Sequence, residues 1–197
     1  MIDSQTEQLN ADELLHLALR AAESNQHEQA ITLLKRALEI APGDGRLHYM
    51  LGAEHAQIGM YDRASLEMAK AIELDPDLTT ARFQLGLLHL TSGRVDQAEQ
   101  AWAPLDALDP DHCMRLFKTG LEHLAKDRFE DCADHLSRGI AANNFNPSLN
   151  HDMQRVLQTV EERIGKQPAA AAVDTPGREP NRMLLSAHRH NRTDGKD

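Results

Sequence analysis

His55, His89 and His123 stand 34 residues apart, and three imidazoles in register are the feature of this sequence that most invites chemistry. Imidazole is a common metal ligand and an acid or base near neutral pH. A metal needs its ligands within about 2 Å of one point, whereas equivalent positions on packed helices lie about 8–10 Å apart or more. The three histidines therefore do not converge on one ion, no metal site is expected from them, and they read as fillers of a recurring slot. His188 and His190 in "HRHN" have at most the makings of a weak metal site in a basic tail. Cys113 and Cys132 lack CxxC spacing and read as reduced, structural thiols. No nucleophile, base and orienting group recur together and no phosphate-binding glycine loop is present, so neither an enzyme nor a cofactor is expected.

The interval that spaces the histidines spaces much else. "FQLGLLHLTSGRVDQAEQAW" answers "YMLGAEHAQIGMYDRASLEM" upstream and "FKTGLEHLAKDRFEDCADHL" downstream, with Gly52, Gly86 and Gly120 in step and Pro42, Pro76 and Pro110 likewise. A fixed period of this length marks stacked supersecondary units. They lie at 11–44, 45–78, 79–112 and 113–146. Each holds a first apolar run at helical spacing (Leu14, Leu17, Ala18, Ala21), a polar break ("SNQHE", "IGMYD", "TSGRV", "AKDRF"), and a second run (Ala30, Leu33, Leu34, Ala37, Leu38). Each unit is thus a helical hairpin, and proline stops it because proline lacks the amide hydrogen the helix needs. The glycines, with Ala64 and Ala98, let the two helices approach closely. Pro104 falls inside a second helix and predicts a kink there. Asn146 and Pro147 start one more helix over 147–165, whose Leu149, Met153, Val156, Leu157, Val160 and Ile164 should cap the array. Residues 1–10 read as an extension and 166–197 as a flexible basic tail.

These residues resemble the tetratricopeptide repeat (TPR) family. The family pattern is met by His48, Leu51, Gly52, His55, Ala64, Met68, Ala71 and Pro76, and again by Leu85, Gly86, His89, Ala98, Trp102 and Pro110. The resemblance covers residues 11–146 and implies an all-α, right-handed superhelical array of four helix-turn-helix repeats with a C-terminal capping helix and a disordered tail. In the fourth repeat Cys132 and Gly139 replace alanines and the proline slides to Pro147. The resemblance further implies that the first helix of each hairpin lines a concave face, onto which Leu15, Leu19, Tyr49, Ala53, Phe83, Leu87, Leu90, Phe117, Leu121 and Leu124 would point. Co-chaperones of the family clamp a C-terminal carboxylate with Lys, Asn and Arg at such places. The matching positions here are Leu15, Leu19, Met50, Thr80 and Gln84, so that clamp is absent.

Charge narrows the partners. Residues 1–165 carry 15 basic and 27 acidic side chains, against six basic and four acidic from Lys166 onward. An acidic body repels nucleic acid and anionic lipid, both of which require phosphate neutralisation. The opening "MIDSQTEQLNADELL" has neither a basic nor an apolar leader region, and no apolar run is long enough to span a bilayer. A cytoplasmic protein bound neither to nucleic acid nor to membrane is expected. Its function reads as a non-enzymatic adaptor or chaperone taking a peptide or amphipathic helix of another protein in an apolar groove. The alternatives are a homo-oligomeric scaffold and a regulatory subunit of an enzyme complex. Met183, Leu184 and Leu185, flanked by Arg182, Arg189 and Arg192, read as a recognition element in the tail that would fold back as a placeholder for the partner.

Overall fold

A computed structural model describes residues 9–166, and every regular element among them is a helix. The α-helices are α1 Ala11–Glu23, α2 His27–Ile40, α3 Gly45–Gln57, α4 Tyr61–Leu74, α5 Thr79–Thr91, α6 Val95–Trp102, α7 Cys113–Ala125, α8 Phe129–Ala142 and α9 Pro147–Lys166. A 3-10 helix, Ala103–Ala107, follows α6. The array forms two compact units that divide between Leu88 and His89, within α5.

The hairpin turns repeat as closely as the helices. Asn25, Gly59, Gly93 and Asp127 all take positive φ, at 57°, 79°, 77° and 55°. The next residue in each turn, Gln26, Met60, Arg94 or Arg128, donates its amide to the carbonyl of Ala21, His55, His89 or His123, at 2.8 to 2.9 Å. A left-handed residue followed by this six-to-one bond is the Schellman closure of a helix C-terminus. Helix starts vary more. Asn10 caps α1 through a reciprocal pair with Glu13, the Glu13 amide donating to Asn10 Oδ1 at 3.0 Å and the Asn10 amide to Glu13 Oε2 at 2.8 Å. Asp44 caps α3 and His112 caps α7.

In the first unit α1 and α3 pack on α2 around Leu14, Ala18, Ala30, Leu34, Ala37, Leu47 and Leu51. Gly52 lets α3 close on α4: a Cβ there would lie 2.9 Å from Met68 Cγ and 3.1 Å from the Ala64 carbonyl. In the second unit Gly120 does the same for α7 and α8, where a Cβ would meet Leu136 at 2.9 Å. The kink expected at Pro104 takes the form of a change of helix type. After only 8 residues α6 gives way to 3-10 geometry, where α2, α4 and α8 each run for 14. Asp106, carried on that 3-10 turn, accepts from Lys118 Nζ of α7 at 2.5 Å.

The helix that follows the last hairpin is fixed by an asparagine cluster. Asn146 caps α9 by accepting the Leu149 amide at 3.0 Å, with Pro147 as the first helical residue, and Asn150 donates to the carbonyl of buried Asn143 at 2.8 Å. Leu149, Met153, Val156 and Val160 are buried on α9, and the Arg163 guanidinium stacks 5.0 Å above the Phe129 ring of α8. Among the described residues no helix is long and apolar enough to cross a membrane.

Candidate functional site

The histidines in register prove to be packing and turn residues. His55 is 3% exposed and its Nδ1 has no hydrogen-bond partner; His89 Nδ1 is likewise buried and unbonded. Burial pushes both imidazoles below their ordinary pKa, as it does His123, where neighbouring Arg128 adds to the effect. Arg128 Nε donates to His123 Nδ1 at 2.9 Å, which requires a neutral ring, and the His135 ring lies 5.0 Å from that of His123. Among the described residues no three His, Cys, Asp or Glu side chains gather as metal ligands. Cys113 and Cys132 are free and buried, and burial pushes the Cys132 thiol up to about 12, so it stays protonated.

Two other polar groups do more than the sequence suggested. Glu54 of α3 is only 4% exposed and meets His27 Nδ1 at the start of α2 at 2.9 Å, where a carboxylate also favours the positive end of the helix dipole. Lys118 is buried and shares its ammonium between Asp106 and Glu122. Periodicity was blind to both, because neither position repeats its residue type: Arg20 and Leu88 flank Glu54 in register, and Met50 and Gln84 precede Lys118.

The apolar stripe divides sharply by exposure. In the first unit Leu15 is buried in the core, while Leu19, Tyr49, Ala53 and Leu87 are half-buried. Burial pushes the Tyr49 phenol up to about 12, so it remains a hydroxyl donor, and among the described residues it has no hydrogen-bond partner. Phe83 is fully buried, as are Phe117 and Leu121 in the second unit, with Leu90 and Leu124 nearly so. The Phe117 ring has turned onto α8: a Cβ at Gly139 would lie 2.6 Å from its Cδ1 and Cε1. Phe117 therefore holds a hairpin together, and the evenly spaced aromatic ladder is not an open surface along its whole length. Met183, Leu184 and Leu185 lie outside the described residues. A further depression of about 660 Å³ lies against the outer side of α1, lined by Leu9, Glu13, His16, Leu17, Leu19, Arg20 and Glu23.

Comparison with known proteins agrees with this architecture. Residues 21–77 match the family model described as tetratricopeptide repeat. No curated protein matches the chain in sequence. Among solved structures, a crystal structure of MamA is similar with TM-score 0.56 and 20% identity, covering 80% of this chain and 82% of that one. MamA residues 41 to end from Desulfovibrio magneticus RS-1 give TM-score 0.58 at 16% identity, over 94% and 97% of the two chains. YrrB, described as a TPR protein with an unusual peptide-binding site, gives 0.54 at 14% identity over 94% and 88%. At these identities the likeness is one of fold. With the sequence match over residues 21–77, the repeated glycines and prolines, and helical hairpins closed by the same turn, the described residues have the fold of a tetratricopeptide-repeat array.

Proposed function

We propose that the chain is a non-enzymatic adaptor or chaperone, and that Leu19 and Tyr49 of the first unit take an apolar or amphipathic segment of another protein. The observation that carries this reading is the contrast along the stripe. Phe117 is consumed in closing its hairpin and Leu121 is buried, while Leu19 and Tyr49 keep exposed surface and Tyr49 keeps an unused hydroxyl. Large amphipathic aromatics with one polar end are favoured contact residues. YrrB, of the same fold, is described as having a peptide-binding site, which is consistent with the reading. A bound segment would place an apolar side chain on Leu19 and a carbonyl or carboxylate oxygen on the Tyr49 hydroxyl.

Panning the full chain against a random peptide library tests this. Peptides with apolar residues at helical spacing should be enriched. Leu19→Asp and Tyr49→Ala should each weaken their binding tenfold or more, since burying such a side chain is worth about 1.5–3 kcal/mol, with the helical spectrum and melting temperature unchanged. Enrichment no better than for scrambled peptides, or binding that survives both substitutions, would remove the proposal.

A further inference from the structure

The outer side of α1 has the position of a docking face. The 34-residue register places Glu13, Leu17 and Arg20 where α3 has Leu47, Leu51 and Glu54, and four intervals on, where α9 has Leu149, Met153 and Val156. In α3 those three are buried, Glu54 against α2; in α9 they are buried in the second unit. α3 and α9 thus use this face to lie on the helix before them, whereas α7, with Arg115, Thr119 and Glu122 at these places, only half-buries it. Among the described residues none precedes α1, and there Glu13 and Arg20 are exposed, Leu17 is half-buried, and the 660 Å³ depression lies against them.

The charges on this face choose its occupant. Glu13 and Arg20 lie at equal distances on either side of the midpoint between His16 and Leu17. When two such helices run antiparallel about a twofold axis through that midpoint, residues whose numbers reflect across it face each other. Glu13 then meets Arg20 of the other copy twice over, while at the centre each Leu17 faces His16 of the other copy and the two Leu17 side chains stand one residue apart in register. A twofold contact requires a patch to be complementary to itself, and an acid and a base placed symmetrically about an apolar centre satisfy this. The partners needed are to hand: the Arg20 side chain has no ion pair among the described residues, and Glu13 uses one oxygen in its helix cap. The geometry points to α1 as the contact through which two copies of this chain associate, antiparallel, with reciprocal Glu13–Arg20 pairs. Covering a single helix face, the contact is a weak and reversible one.

Sedimentation velocity of the full chain over a wide concentration range tests it, with circular dichroism to monitor folding. The wild type should pass from monomer to dimer. Arg20→Glu sets four carboxylates together and should weaken the dimer about tenfold or more, while the double variant Glu13→Arg with Arg20→Glu should restore it. Glu13→Gln keeps the helix cap and removes the charge, so it should weaken the dimer without touching the fold. Leu17→Cys should form a disulfide-linked dimer on oxidation, beyond any formed by the wild type with its buried thiols. A monomer at every concentration, a dimer indifferent to Arg20→Glu and Glu13→Gln, or a double variant that fails to recover while folded overturns the assignment. Leu19 also lines this depression, so peptide binding is measured at concentrations where the chain is monomeric, and Tyr49→Ala, which lies outside the depression, tells the two readings apart.

Discussion

The Phe117 ring of α7 occupies the space in which a side chain at Gly139 of α8 would begin, 2.6 Å from where that Cβ would stand. The departure from the repeat pattern at Gly139 thereby makes room for a ring that the pattern itself places at 117. Alanine in a helix interior ordinarily gains about 1 kcal/mol over glycine. Here it meets a rigid ring and Leu116 Cβ at 3.3 Å, and overpacking costs about 1–3 kcal/mol. Gly139→Ala is therefore expected to destabilise in urea melts, and Phe117→Leu to relieve part of that loss in the double variant. A stabilised Gly139→Ala would show that the ring moves aside freely.

The close approaches at Gly52 and Gly120 differ in what would have to yield. Added Cβ atoms meet Met68 and Leu136 side chains at the same 2.9 Å, but Gly52 also faces backbone, the Ala64 carbonyl at 3.1 Å and the Met68 amide at 3.2 Å, where Gly120 has only the Cys132 carbonyl at 3.4 Å. A side-chain end shifts cheaply and a helix backbone does not. Gly52→Ala should lower the melting temperature more than Gly120→Ala; the reverse order would contradict this packing.

Each turn needs one left-handed residue, and only Gly59 and Gly93 supply it without steric cost. Asn and Asp tolerate the conformation less well than glycine and far better than a β-branched residue. Asn25→Gly and Asp127→Gly should each raise stability by a few tenths to about 1 kcal/mol, and Asn25→Val lower it by about 1–2 kcal/mol. Equal stabilities for Asn25→Gly and Asn25→Val would mean the turn relaxes out of this geometry.

The hairpins were legible because glycine, small residues and proline recur in phase, each answering a backbone need that every repeat shares. Pro104 was legible for a similar reason, since one missing amide hydrogen acts locally. The face of a helix that remains open was not. Tyr49, Phe83 and Phe117 are identical in register and similar in type, yet Tyr49 is half-open and the other two are enclosed. That difference depends on what packs across from each, such as Gly139 opposite Phe117, which spacing along one helix does not encode. The Glu54–His27 and Lys118–Asp106 pairs join different helices and escape periodicity for the same reason.

Acid should weaken the fold through its buried histidines. Burial holds the His55 and His89 imidazoles below the ordinary value of 6.5, and in His55 nearby Lys35 and Arg63 work in the same direction against an opposing Glu67. Below pH 6.5 the unfolded chain takes up protons that the folded chain refuses, so stability is fully present above that value and is lost as pH falls through it. The loss levels off once the folded imidazoles also protonate. Urea midpoints should fall between about pH 7.5 and pH 5.5, and His55→Phe should flatten the curve. A midpoint that holds steady or rises over that range in the wild type would contradict the neutral, unpartnered state of these rings.

Lys118 poses the opposite problem, a cation drawn inside and held by groups that remain in water. Its side chain is 8% exposed, while Asp106 is 55% and Glu122 26% exposed. Removing one partner of a fully buried pair costs about 3–5 kcal/mol and of a surface pair about 0–1 kcal/mol. With Glu122 still 3.3 Å away, Asp106→Ala should cost an intermediate amount, about 1–2 kcal/mol. Lys118→Met removes the charge and keeps the packing stem, so it should be close to neutral, and in that background Asp106→Ala should cost little more. The double-mutant cycle separates the ion pair from the effect of Asp106 on its own 3-10 turn. A loss from Asp106→Ala that is undiminished when residue 118 is methionine would assign the whole effect to the turn and none to the pair.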